Sequence, residues 1–229
     1  GSPGPMDLCL VLDGSGSMAG DAIMQSREAV RSITRLLGDD DRLQVLRFGS
    51  SVQPVFRRLM PCKAAVRQAL EELAETLQAN LGGTEMQTAL LRALRDLGPR
   101  QDGRTRAILL VTDGAVQPSE IADAQSELIE AGIRVFVVAV GSSAGVEVLT
   151  PMAHETGAAI ERAILGESID AAAERMARRA RHPAPTTMHL TWPGADAHVL
   201  PHAPVYPGDA FELAVVATAA PTDTVTLDV

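Results

Sequence analysis

The sequence predicts an α/β domain built on a doubly wound, mostly parallel sheet with one antiparallel edge strand, followed by part of a β-sandwich. Three observations carry this expectation. From Met6 to about Arg181, short apolar runs alternate with longer amphipathic stretches. The runs are apolar on both alternations, as strands covered on each face must be. Past a His182-Pro183-Ala184-Pro185 break the period changes to two.

The strand runs are Leu8 to Leu12, Leu43 to Phe48, Ala107 to Val111 and Ile133 to Val140. Between them, Val66, Leu70, Leu73 and Leu77 fall on one face at helical spacing, as do Leu90, Leu94 and Leu97. Ile121, Ala124 and Leu128 repeat the pattern, and so do Ile169, Ala173, Met176 and Ala180. Alternating strands and helices over this length make a doubly wound domain. Arg42 to Phe48, a Gly49-Ser50-Ser51 turn and Val52 to Leu59 read as two adjacent strands, the second placed at an edge by Pro54. Beyond Pro185, alternation in Met188, Leu190 and Trp192, in Phe211, Leu213 and Val215, and in Val225, Leu227 and Val229 marks a β-rich segment. It is too short for a core of its own, so Trp192 is expected to be largely buried by docking on the first domain. Residues 1–5 read as linker, 6–182 as the domain and 183–229 as the partial β segment. The opening Gly-Ser-Pro-Gly-Pro and the stop at Val229 within an alternating stretch suggest an excerpt from a longer polypeptide.

Composition narrows the function classes. The 229 residues are 46% apolar and 21% charged, with a formal net charge of −9. That is a globular composition without the basic footprint of a nucleic-acid or anionic-lipid binder. The apolar runs are too short to span a bilayer, so no membrane insertion is expected. Two cysteines cannot form a disulfide framework. Cys9, inside a strand run, reads as a buried thiol, and this usage favours a cytoplasmic compartment.

The chemistry concentrates in three places. The first strand ends in Asp13-Gly14-Ser15-Gly16-Ser17 before a helix, a later helix is preceded by Gly82-Gly83-Thr84, and a strand ends in Thr112-Asp113-Gly114. Ligands of doubly wound sheets bind outside the carboxyl ends of the strands where the winding reverses. If the strands ending at Asp13 and Asp113 are neighbours there, two carboxylates and three hydroxyls share one crevice. Such a set, with neither His nor Cys, favours Mg²⁺, Mn²⁺ or Ca²⁺ over zinc or copper.

Singly, each element has a structural explanation. Ser17 could cap a helix, Thr84 with Gln87 fits a capping box, and Asp113-Gly114 is a common turn dipeptide. Asp39-Asp40-Asp41 lacks the spacing of a calcium loop and reads as a solvated turn, and Arg175 to Arg181 suits a helix carboxyl end. Enzyme readings mostly fail: there is no phosphate-cradling Gly-x-x-x-x-Gly-Lys, and Asp13 stands where a nucleophile elbow needs glycine. The remaining alternative is a Mg²⁺-dependent phosphohydrolase using Asp13 and Asp113.

Asp13-x-Ser15-x-Ser17 with Thr84 and Asp113 resembles the metal-ion-dependent adhesion site of von Willebrand factor A domains, over about Met6 to Arg181. The wording around Asp41-Arg42, Phe48-Gly49-Ser50-Ser51 and Asn80 to Glu85 is most similar to the inter-α-trypsin inhibitor heavy chain branch. Thr191-Trp192 and Val205-Tyr206-Pro207-Gly208-Asp209 resemble the β-rich segment that follows in that branch. The resemblance implies a binding module and not a catalyst. It implies metal coordination by Ser15, Ser17 and Thr84, with Asp13 and Asp113 acting directly or through water, and a partner protein's Asp or Glu completing the shell. Movement of the threonine loop would accompany binding, and Met18, Gly82, Gly83, Ala115, Val116 and Gln117 would form the rim.

Overall fold

The computed structural model describes residues 4–141, 145–162, 168–200 and 202–228. The chain divides into two compact units, Gly1–Pro183 and Ala184–Val229.

In the first unit, strand β1 (Met6–Asp13) is buried at every position. A short 3-10 turn (Gly16–Met18) leads into helix α1 (Asp21–Leu36), and then come β2 (Arg42–Phe48), β3 (Val52–Pro54) and β4 (Met60–Pro61). Helices α2 (Ala64–Thr76) and α3 (Met86–Leu97) precede β5 (Thr105–Thr112), which is followed by α4 (Ala122–Glu130) and β6 (Arg134–Ala139). Helix α5 (Val146–Glu155), β7 (Ile160–Arg162) and α6 (Ile169–Arg181) close the unit. The sheet order is β3-β2-β1-β5-β6-β7. β1 runs parallel to both β2 and β5, β5 to β6 and β6 to β7, while β3 and β4 pair antiparallel with β2 along one edge. This is the expected α/β class, and the winding reverses between β1 and β5.

The two-faced apolar runs explain the layers. Cys9, Val11, Ile108, Leu110, Val135 and Val137 share a core with Met86 and Leu90 of α3 and Leu128 of α4. The alternate residues Leu8, Leu10 and Leu12 are equally buried. α6 lies against β5 and β6 and packs on α1, and α2 in turn packs on α1. Both cysteines are free and buried.

In this unit the structure corrects two readings of the chain's course. The strand expected over Val52 to Leu59 is broken into β3 and β4, with bends between them; it stops at Pro54, which has no N–H to continue the ladder. The Asp39–Asp41 turn is solvated only at Asp39 and Asp40. Asp41 is buried, accepting from the N–H groups of Met6 (2.9 Å) and Gly38 (2.6 Å) and from Arg181 (2.5 Å). Its carboxylate joins the start of β1 to the end of α6.

The second unit holds two antiparallel pairs, β8 (His189–Thr191) with β11 (Thr226–Asp228) and β9 (Ala197–Val199) with β10 (Val215–Ala217). Trp192, expected to be largely buried, is only partly so, and its indole N–H donates to the Ala219 carbonyl at 3.1 Å. Hydrogen-bonding an indole within a small unit leaves part of the ring at the surface. Val229, assigned to the last alternating face, lies outside the described residues.

Candidate metal centre

Asp13 is the last residue of β1, and Asp113 directly follows β5, its neighbour at the reversal. The strands therefore bring both carboxylates to the same end of the sheet, close enough for the charge of Asp113 to act on Asp13. Asp13 is fully buried. Its Oδ1 accepts from the Ser15 N–H at 2.9 Å, and its Oδ2 accepts from the Thr112 hydroxyl at 2.6 Å. The Ser15 and Ser17 hydroxyls lie 3.1 Å apart and share one hydrogen bond. Asp113 is half-buried and accepts from the Ala115 N–H at 3.1 Å.

Three loops are stitched together around these residues. Gly14 N–H donates to Phe48 O (2.8 Å), Leu81 N–H to Gly14 O (2.9 Å) and Gly16 N–H to Gly82 O (2.8 Å). Ser50 N–H bonds Leu81 O (2.7 Å), Glu85 N–H bonds Gly49 O (2.7 Å), and Gly83 N–H bonds the Ser50 hydroxyl (2.7 Å). Glycine is required where the strands of this stitch touch: a Cβ on Gly49 would stand 2.3 Å from Leu81 Cβ. The segment carrying Thr84 is thus tied beside the Asp13 loop, and Thr84 itself is half-buried.

The structural explanations of Ser17 and Thr84 fail, while the Asp113-Gly114 dipeptide does lie in a tight bend, with Gly114 at φ +77°. Ser17 lies inside the 3-10 turn, and α1 is capped by Gly20, so Ser17 is not a helix cap. The N-cap of α3 is Glu85, without a side-chain cap bond, so Thr84 and Gln87 form no capping box. Neither hydroxyl has a role in ending a helix.

Electrostatics sets Asp13 apart. Burial pushes its carboxyl above the ordinary carboxylate range, opposed by the hydrogen bonds from Ser15 and Thr112 and aided by the charge of Asp113. Among the described residues neither Asp13 nor Asp113 has a basic partner. A buried carboxylate without a counter-charge is costly. Among the same residues no three His, Cys, Asp or Glu side chains come together to hold a metal, so a cation here would depend on hydroxyls beyond its two carboxylates. The donor set is hard oxygen throughout and fits Mg²⁺, Mn²⁺ or Ca²⁺.

Of the rim residues expected from the sequence, Gly82, Gly83, Ala115 and Gln117 are exposed. Met18 and Val116 are not: Met18 is 0% exposed, and Val116 packs into the core with Ile121 and Leu128. An apolar side chain beside a strand end gains more from the core than from water. Thr112 was quoted from the sequence without a role, and only the pairing of β1 with β5 reveals that it orients Asp13.

The family model of the von Willebrand factor type A domain matches residues 6–159. A von Willebrand factor A domain-containing protein of Dictyostelium discoideum is 28% identical over 145 residues, 62% of this chain and 15% of that protein. Inter-alpha-trypsin inhibitor heavy chain H4 of Homo sapiens is 27% identical over 169 residues, 69% of this chain and 18% of that one. E3 ubiquitin-protein ligase WAV3 of Arabidopsis thaliana is 31% identical over 128 residues, 55% and 17% of the two chains. The chain spans less than a fifth of the length of each of these relatives. Among solved structures, von Willebrand factor type A from Catenulispora acidiphila superposes with a TM-score of 0.68 at 20% identity, covering 86% of this chain and 47% of that one. The manganese-loaded Plasmodium vivax TRAP protein gives 0.58 at 16% identity, covering 93% and 92%. At these identities the structural matches speak for the fold, and the family match, over more than half of the sequence, speaks for descent. The chain belongs to the von Willebrand factor type A domain family.

Proposed function

We propose that this chain is a metal-dependent protein-binding module in which Asp13, Ser15, Ser17, Thr84 and Asp113 hold a divalent cation, Mg²⁺ foremost. A partner protein's Asp or Glu side chain would complete its coordination. The family consists typically of adhesion and protein-interaction modules. The single observation that carries the finer reading is the buried, unpaired carboxylate of Asp13 at the reversal of the sheet. Asp13 supplies charge and is kept in place by Thr112 and Ser15. Ser15 and Ser17 supply neutral oxygens, Thr84 brings a third hydroxyl on its own loop, and Asp113 a second charge. The cation, when bound, supplies a Lewis-acidic position that accepts one more anionic oxygen. Specificity then comes from the surrounding rim of Gly82, Gly83, Ala115 and Gln117.

Manganese in the Plasmodium TRAP protein, which shares the fold, supports a divalent ion in this one. The inter-α-trypsin inhibitor heavy chain branch remains our preferred place within the family, supported by one relative among several. The ligase name of the Arabidopsis relative concerns a protein of which this chain covers 17%. A phosphohydrolase using Asp13 and Asp113 has no observation in its favour.

Titration calorimetry with Mg²⁺ or Mn²⁺ tests the metal, and capture of partners with and without EDTA tests its use. One site per chain, lost in Asp13→Asn and weakened in Thr84→Ala, is expected. A partner retained equally in chelator, or by both variants, would show that recognition uses another face.

A further inference from the structure

At the opposite end of the parallel sheet, where β5 and β6 begin, lies a pocket of about 120 Å³ whose lining includes Arg100, Arg104, Thr105, Arg106 and Arg134. No acidic side chain stands among its described lining residues. Four guanidinium groups around one small cavity are unusual in a chain whose formal net charge is −9.

The partners of these groups decide what the cavity can take. Arg104 is paired with Asp7 at 2.8 Å and also donates to the Asp40 carbonyl at 2.9 Å. Arg106 donates to the carbonyls of Gly98 and Ala131, where α3 and α4 end. Arg134 donates to the Ala180 carbonyl of α6 at 2.9 Å and stacks 5.2 Å over the Phe136 ring. Carbonyls at helix ends carry only partial charges, so those of Gly98 and Ala131 do not cancel the charge of Arg106. Burial first, and the charge of nearby Arg100 second, make Arg106 less basic than a free arginine. Arg100 itself is exposed at this end. Among these cations the Thr105 hydroxyl is buried and makes no hydrogen bond. It stands as a spare donor where a buried polar group normally finds a partner.

We propose that this pocket is an oxyanion site that takes a phosphate group, either free or as a small phosphomonoester. Arg100 and Arg106 supply its charge partners and Thr105 a hydrogen bond. A doubly charged, tetrahedral group matches a surplus of more than one positive charge and the forked geometry of guanidinium donors. The net acidity of the chain disfavours an extended polyanion, and a volume of about 120 Å³ suits a single group. The site is separate from the Asp13 crevice, because Thr105 opens β5 and Thr112 ends it.

The test is calorimetric titration of the full chain with inorganic phosphate and, in a second arm, glycerol 3-phosphate, in EDTA and at constant ionic strength set by chloride. EDTA removes any contribution from the metal centre. One saturable site is expected. Its Kd should weaken by about tenfold in Arg100→Glu and by several-fold to about tenfold in Thr105→Val, the range for hydrogen bonds to a charged group. Thr105→Val replaces a hydroxyl that bonds nothing, so the variant should fold normally, and Thr105→Ser should restore binding. Saturable binding of either compound with this mutational pattern supports the site, and whichever arm binds more tightly identifies the source of the phosphate. Absence of saturable binding in both arms, or affinity unchanged in both variants, would overturn it.

Discussion

Asp7 and Asp13 stand near the two ends of the same strand, roughly 20 Å apart, and both are buried, at 1% and 0% exposure. Asp7 is held by two arginines, Arg42 from β2 and Arg104 from the segment before β5. Asp13 receives one hydroxyl and one main-chain N–H and no cation from the described chain. The same residue type at equal depth is therefore paired with two cations at one end of β1 and with none from the described chain at the other. The first arrangement joins β1, β2 and the segment that leads into β5. The second leaves a buried carboxylate with no cation from the described chain, the feature on which the proposed metal centre rests.

The comparison breaks most easily at Asp7. Asp7→Asn leaves two guanidinium groups without their counter-charge and should cost about 3 kcal/mol in urea unfolding, the low end for breaking a buried pair because Arg42 reaches solvent. Metal affinity should be unchanged in this variant, and a loss would show that the two ends are coupled. At Asp13 the pattern inverts. Mg²⁺ or Mn²⁺ at a hundred times its Kd should raise the unfolding free energy of the wild type by about 2.7 kcal/mol, and EDTA should remove that gain. Asp13→Asn should show no gain while keeping its fold.

Much of this contrast could be read from the sequence, and some could not. The strands were legible because β1, β5 and β6 are apolar on both faces, and the crevice because Asp13 and Asp113 end two such runs. The neighbours that distinguish Asp7 from Asp13 were not legible. Arg104 lies 97 positions from Asp7, and Thr112 lies 99 from Asp13; only strand order brings them together. Periodicity reports which face a residue occupies but not which distant residue it meets. For the same reason Met18, adjacent to the serines, was placed on the rim when it belongs to the core. The three-residue β7 was too short to leave a pattern. The arginine pocket, gathered from the segments around residues 100–106 and 134, left no local motif.

A smaller effect separates the supporting hydrogen bonds. Thr112→Val removes the hydroxyl donor from a buried charge and should cost about 2 kcal/mol, measured in EDTA by chemical unfolding. It should also weaken metal binding, since Asp13 loses its orientation. The pH dependence has a definite sign. Burial holds the Asp13 carboxyl above its ordinary range, so in the interval between the unfolded and folded values the folded chain holds the extra proton. Without metal, this group's contribution to stability is therefore present below that interval and is lost as pH rises through it. Metal affinity follows the opposite course, falling as pH drops into the interval because proton and cation compete. Thermal unfolding across pH with EDTA should show the first trend in the wild type and not in Asp13→Asn. Smallest of all, Ser17→Ala should change stability by less than about 0.5 kcal/mol, because the hydroxyl is exposed and caps no helix. A loss near 1 kcal/mol would return Ser17 to the role of a cap.

The stitch that joins Gly14, Phe48, Leu81 and Gly82 has a consequence for the order of events during synthesis. Its contacts, with the Thr112 to Asp13 bond, draw on segments separated by up to 99 positions, so no short stretch of the chain contains a working site. A nascent chain that has not yet presented β5 has Asp13 without its orienting hydroxyl and without Asp113. The pairing of β1 with β5 must come first, and long-range pairings of this kind form slowly. An ion held as proposed would therefore not seed folding. It would bind only a chain whose central strands had already found one another, so divalent-cation binding would report completion of the domain and not its beginning.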